Sequence, residues 1–293
     1  MNKESFLMKI FRFFRLDSVA WSLRRLHCPV DKNALVLEVG SGGSPYFRSN
    51  VLCDAYLDTR ERHFAPLICD RPICLAYVEK LPFKNNSFDF VIASHVLEHS
   101  EAPEQFLSEL QRVAKSGYIE VPDAFMERLT CYLDHRLEIT DKEDVLLIRK
   151  KQSYCQDKEV RNLFTNKAGA VFPKWVSKFP FRFHVRYYWE NKSGGIKYKI
   201  LNPEYQFNWS PPQSSTEKND LKISMKALLK HSVLALIRRA FSQNKRNKNI
   251  DIIKMCRCLE CGTDNLTMTP EKIICTACGK NFKINKGIID FTK

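Results

Sequence analysis

Short, almost wholly apolar runs punctuate residues 33–122. Residues 34–39 form the first, and a run apolar on both faces predicts a strand buried on two sides of a sheet. Residues 50–53 predict a second strand, 67–69 or 73–76 a third, 87–93 a fourth and 117–121 a fifth. Between the last two, residues 102–114 carry Phe106, Leu107, Leu110 and Val113 at helical spacing, with Pro103 suited to a first turn. Strands alternating with helical patterns predict an α/β fold, a Rossmann-like, doubly wound and mostly parallel sheet. Only residues 44–50 separate a glycine-rich turn from the second strand, so the first crossover helix is nearly absent.

The flanking patterns differ. Residues 1–27 read as an amphipathic helix with Phe6, Ile10, Phe13 and Phe14 on one face and Arg12 and Arg15 off it. Packing of that face on the following domain is the expected outcome, and peripheral contact with a membrane surface is the alternative. Residues 181–189 and 196–201 alternate around Ser193-Gly194-Gly195, which predicts an antiparallel hairpin. Residues 209–220 read as a polar linker and 221–241 as a basic helix with Leu229, Val233, Leu236 and Ile237 on one face. A charged linker, 242–249, follows. The resulting division is an N-terminal helix (1–30), a main domain (31–210), a basic helix and linker (211–249) and a terminal module (250–293). No run of about 18 apolar residues exists, so no transmembrane helix is expected. Lys9, Arg12 and Arg15 interrupt the N-terminal apolar residues, which argues against a signal peptide and for a cytoplasmic protein.

Charge and cysteine content sharpen this picture. A formal net charge of +14 favours an anionic partner, whether nucleic acid, membrane surface or phosphorylated substrate. Of the 11 cysteines, most scattered ones lie in apolar runs and read as small core residues. Four form two pairs, Cys258-x-x-Cys261 and Cys275-x-x-Cys278. Two-residue spacing brings both sulfurs of a turn to one ion, and two such turns complete a tetrahedral, closed zinc shell. Gly262 and Gly279 follow the pairs where each knuckle needs a relaxed backbone, and Cys256 is a substitute ligand.

The glycine-rich turn, LEVGSGGSP at residues 37–45, directly follows the first strand and lets backbone approach a ligand closely. Here the chain resembles class I S-adenosylmethionine-dependent methyltransferases of the type 11 kind, from about residue 34 to 122. Glu38, Gly40 and Gly42 match that family's E/D-x-G-x-G. The resemblance implies that they and Ser41 contact the cofactor, and that Asp54, less so Asp58, holds the ribose hydroxyls. The segment EKLPFKNNSFDFVIASHVLEHSEAPEQFLSELQRVAKSGYIEVP follows a long, ordered family pattern, implying that Ser94 and His95 lie beside the cofactor. Tyr77 stands where the family carries an aspartate for the adenine amino group; it can stack or hydrogen-bond.

Residues 252–291 resemble the Trm112-like zinc ribbons, which bind and stabilise methyltransferases. Fusion would hold such a partner in cis, docked intramolecularly and supplying no catalytic residue. Together these likenesses imply methyl transfer from S-adenosylmethionine, with structural zinc, to an unidentified acceptor. A small molecule or glycan is favoured, and RNA or protein is the alternative. Residues 122–136 are expected to line the acceptor pocket, with His135 as general base and His184 as second candidate. The competing reading is a catalytically degenerate methyltransferase fold acting as a binding or scaffold module.

Overall fold

The computed structural model describes residues 1, 3–57, 66–211, 236–237 and 240–293. Asp58 and most of the predicted basic helix, Leu229 and Val233 included, lie outside them. The central element is a ten-stranded sheet of order β10-β11-β12-β13-β3-β2-β1-β4-β5-β8. Strands β1 (Val36–Val39), β2 (Val51–Asp54), β3 (Ile73–Leu75), β4 (Phe90–Ser94) and β5 (Ser116–Pro122) pair in parallel. They arise from the five apolar runs, and the third proves to be the 73–76 alternative. Apart from Ser94 they are buried throughout, as strands covered on both faces must be. Helix α3 (Pro103–Val113) buries Phe106, Leu107, Leu110 and Val113. No helix intervenes between β1 and β2.

The N-terminal segment departs from the expected single helix. It breaks into α1 (Phe6–Phe13), α2 (Asp17–Leu23) and a 3₁₀ turn (Arg24–Leu26), with Arg15 at φ 58° between the helices. Nor does the aromatic face pack inwards: Phe6, Phe13 and Phe14 are exposed. Burial falls instead on Met8 and Ala20, and a charge fixes the segment. Arg24 donates Nε and Nη2 to the two oxygens of fully buried Glu120 on β5, at 2.7 and 2.9 Å, while its guanidinium stacks on Trp21. A buried carboxylate requires such a partner, and that requirement outweighs the apolar pattern of α1.

The predicted hairpin is also corrected. Strand β8 (His184–Glu190) pairs antiparallel with β5 at the sheet edge. Strand β9 (Tyr198–Ile200) joins a separate three-stranded sheet of order β6-β7-β9. Gly194 and Gly195 do take positive φ, but α3 captures the turn, since Gln111 Oε1 accepts from Ile196 N at 2.7 Å. Lys197 N donates to the Tyr187 hydroxyl at 2.9 Å, and β9 then pairs with β7. The hairpin of this region is β6 (Leu137–Lys142) and β7 (Val145–Lys150), whose turn residues Glu143 and Asp144 both have positive φ. Helices α4 (Ala124–Thr130), α5 (Lys158–Ala168), α6 (Phe172–Lys178) and α7 (Pro180–Phe183) fill the rest of the insertion between β5 and β8.

The terminal module is a meander of β10 (Leu266–Met268), β11 (Lys272–Cys275), β12 (Asn281–Asn285) and β13 (Ile288–Asp290). Its last strand pairs in parallel with β3, so the module extends the main sheet and docks within the chain. Phe291 N donates to Leu75 O, Arg257 N to Pro82 O and Lys84 N to Met255 O. Ile273, Phe282, Ile289 and Phe291 are buried in one core with Val51, Cys74 and Phe83. Cys256 is buried there too, opposite Phe83, so it serves the core and not the sulfur cluster. The preceding linker is pinned rather than free: Arg246 donates to Ala34 O, and Asn247 Oδ1 accepts from Asn50 Nδ2 at 2.8 Å.

Candidate active site and metal centre

At the C-terminal ends of β1, β2 and β4 the chain opens a cavity of about 200 Å³. Gly40, Gly42, Asp54, Tyr77 and His95 all line it. In open parallel sheets this end of the strands is where ligands bind. Gly40 has φ 62°, and a Cβ there would lie 2.1 Å from Val96 Cγ2, so only glycine lets β1 turn out beside the β4 loop. Asp54 receives Gly42 N on Oδ2 at 2.9 Å and Tyr56 N on Oδ1 at 3.1 Å, which ties the glycine turn to the end of β2. Tyr56 and Tyr77 pack edge to face at 5.9 Å across the opening.

Glu38, Ser41 and Ser94 stand behind this lining. Glu38 is buried, and its Oε2 accepts Tyr46 N at 2.8 Å and the Ser49 hydroxyl, bracing the β1–β2 loop in place of a helix. Burial raises its pKa to about 7, against the lowering pull of Arg25 and of these hydrogen bonds. Ser41 is buried, and Ser94 Oγ donates to Glu120 at 3.1 Å.

His95 directly follows β4 in the left-handed region, φ 58°, a conformation rare for a residue with a Cβ and concentrated at functional sites. Its Nε2 and Nδ1 lie 3.4 Å from Glu120 Oε1 and Glu98 Oε1. Burial would lower its pKa, but the two carboxylates outweigh that and raise it to about 9. The neighbouring His184 ring sits edge-on at 5.5 Å. Burial lowers the His184 pKa, and its Nδ1 contacts Pro180 O at 3.0 Å.

His135 does not line the cavity. It lies behind His99, ring centroids 4.7 Å apart, and its Nδ1 bonds Glu127 Oε2 at 2.7 Å. Glu127 is buried and also binds Lys151 Nζ at 2.8 Å. Pattern reading missed Tyr56, Glu79, Val96 and Ser100 in the lining. Of these, Glu79 had a signal: it stands two residues after Tyr77 and brings a carboxylate into the cavity that Tyr77 lacks.

At the far end of the sheet, Cys258, Cys261, Cys275 and Cys278 present four sulfurs within 4.8 Å of one another. Cys258 Sγ and Cys278 Sγ are 3.6 Å apart, and Cys261 Sγ and Cys275 Sγ 3.5 Å. A tetrahedral shell with bonds of about 2.3 Å separates its sulfurs by about 3.8 Å. The knuckles share one geometry. Gly262 N donates to Cys258 O and Gly279 N to Cys275 O, both at 2.9 Å, and both glycines have φ 76°.

Residues 53–119 match the family model of the methyltransferase domain. That methyltransferase-domain match runs from the end of β2 into β5 and includes Asp54, Tyr77 and His95. No curated protein sequence matches the chain. Among solved structures, similarity is found to an S-adenosylmethionine-dependent methyltransferase from Thermotoga maritima, with 21% identity and a TM-score of 0.29. It covers 40% of this chain, which spans 55% of that protein's length. A methyltransferase complexed with the Trm112 activator of Haloferax volcanii shows 15% identity over 45% of this chain and 76% of that one, TM-score 0.29. The YcgJ protein of Bacillus shows 17% identity over 43% and 70%, TM-score 0.30.

Proposed function

We propose that the protein transfers a methyl group from S-adenosylmethionine to a small-molecule or glycan acceptor in this cavity. The observation that carries the reading is the meeting of Gly40, Gly42, Asp54 and Tyr77 in one lining at the strand ends. Their chemistry fits the cofactor. A backbone bare of side chains suits the close approach of the methionine part, a carboxylate suits a ribose diol, and exposed Tyr77 suits stacking on adenine. Asp54 and Glu79 bring two carboxylates into a cavity that would receive a sulfonium cation. The cofactor supplies an activated methyl, and the chain supplies position and exclusion of water. The Cys258, Cys261, Cys275 and Cys278 cluster would hold one structural zinc, and its four thiolates leave no open position.

Titration calorimetry with S-adenosylmethionine and its demethylated product tests the site. Asp54→Ala is expected to weaken binding at least about tenfold, the cost of one charge-assisted hydrogen bond. Gly40→Val is expected to abolish it by remodelling the turn. Tight binding by both variants overturns the assignment. Folded parent protein that binds neither ligand favours the scaffold reading. A panel of metabolites, glycans and RNA assayed for labelled methyl uptake then identifies the acceptor.

A further inference from the structure

Directly behind the cavity wall lies a second cluster. Glu98 follows β4 in a 3₁₀ turn (Leu97–His99), is 2% exposed, and neither carboxylate oxygen has a hydrogen-bond partner. Its nearest cationic group, His95 Nδ1, is 3.4 Å away, an ion pair without a hydrogen bond. One ligand atom each from Glu98, His99 and His135 lies within 4.8 Å of the others.

We propose that Glu98, His99 and His135 form a binding site for a divalent first-row transition metal ion. Three observations converge. Among the described residues, Glu98 is buried with no hydrogen bond on either oxygen and only His95 beside it at 3.4 Å, so its carboxylate has capacity left for a bound cation. Both rings are oriented from behind: His135 Nδ1 by Glu127 Oε2 at 2.7 Å, and His99 Nδ1 by Asp134 O at 3.2 Å. An acceptor on Nδ1 places the proton there and makes Nε2 the basic nitrogen, as metal-binding histidines require. Lys151 in turn fixes Glu127, so the support extends one layer further. With bonds of about 2.1 Å, even opposite ligands span at most about 4.2 Å, so the three side chains would close in around a bound ion.

Two imidazoles and one carboxylate suit manganese, iron, cobalt or zinc better than magnesium or calcium, and they leave coordination positions open. His99 also lines the cavity, so the cluster adjoins the acceptor space through that ring. A bound ion would lower the pKa of an acceptor hydroxyl that reached it. The oxygen releases its proton to water and takes the methyl as the C–S bond breaks, leaving S-adenosylhomocysteine. This role rests on the methyl-transfer reading, whereas the binding site does not.

Manganese is the probe, because a thiolate cluster discriminates against it. Titrating full-length protein with MnCl₂, followed by the paramagnetic resonance of free Mn²⁺, is expected to show one saturable site per chain. Glu98→Gln and His135→Gln should weaken it at least about tenfold. Glu127→Gln, which touches no ligand position but removes the support of His135 and the partner of buried Lys151, should weaken it by about 10–100-fold in protein that circular dichroism shows to be folded. Mn²⁺ should raise the melting temperature of the parent and not that of Glu98→Gln. Absence of saturable Mn²⁺ binding by the parent, or undiminished binding by folded Glu98→Gln, overturns the site. S-adenosylhomocysteine calorimetry on the same samples separates the two readings. Cofactor binding without Mn²⁺ overturns the metal site alone. Mn²⁺ binding without cofactor leaves the metal site standing and overturns methyl transfer.

Discussion

Glu120 shows how one buried side chain organises its surroundings. It has no exposure, and Arg24, Tyr118, Ser94 and His95 all face it. Burial pushes its pKa up, but the His95 and Arg24 partners hold it well below the usual carboxylate range. Removing Arg24 takes both of its hydrogen bonds from this buried carboxylate and leaves it with His95 as cationic partner, so Arg24→Ala is expected to cost about 3–5 kcal/mol in chemical denaturation. Adding Glu120→Gln should recover part of that loss, and a double variant as unstable as Arg24→Ala would exclude the explanation. Glu38 behaves oppositely. Its folded pKa, raised to about 7 from an ordinary 4.5, means that the native state binds more protons than the unfolded chain between those values. Its contribution to stability therefore falls as pH rises through that window, by up to about 1.4 kcal/mol per pH unit. Glu38→Gln keeps an oxygen to accept Tyr46 N and Ser49 Oγ, so thermal melts from pH 4.5 to 7.5 should show a flatter profile for the variant. Parallel profiles would mean that Glu38 stays ionised.

At the level of elements, what could be read from the chain was whatever local pattern determines. The five parallel strands were legible because burial on both faces leaves no polar alternation to confuse them. The glycine turn was legible because Gly40 answers a local backbone demand, and the two cysteine knuckles because their spacing is itself the geometry. What was not legible depended on a distant partner. Phe6, Phe13 and Phe14 form an apolar stripe in sequence, yet Arg24 sets the docking. Residues 196–201 alternate like a hairpin strand, yet Gln111 draws the turn onto α3. The cavity was legible at Gly40, Gly42, Asp54, Tyr77 and His95, while Tyr56 and Ser100 sit in loops with no motif of their own. The terminal meander carries the clearest consequence for elements. If zinc holds both knuckles, chelation should loosen β10–β13 and expose the edge of β3. Cys258→Ser with Cys275→Ser is expected to lower the melting temperature by on the order of 10 °C and to admit protease near residues 250–293. Unchanged melting and protease resistance would make the ribbon independent of metal.

For the whole molecule, the added strand reorders where the sheet ends. The parallel strands of the main domain do not stop at β3, because β13 covers that edge and β10 becomes the outer one. No lining residue of the cavity comes from the ribbon, so its contribution to the site runs through the sheet: β3 pairs with β2, which ends in Asp54. The described helices include none long and apolar enough to cross a membrane. The pairing of β3 with β13 also sets a timetable. Residues 73–75 leave the ribosome long before residues 288–290, more than two hundred positions later in the chain. Throughout that interval the nascent sheet presents an open, apolar edge, the kind of surface that recruits stray strands. Pairings so remote in sequence are also slow to form. If zinc closes the ribbon, a cell short of it would accumulate chains in which everything before residue 250 is finished and the sheet still lacks its border, a surface that chaperones would have to shield.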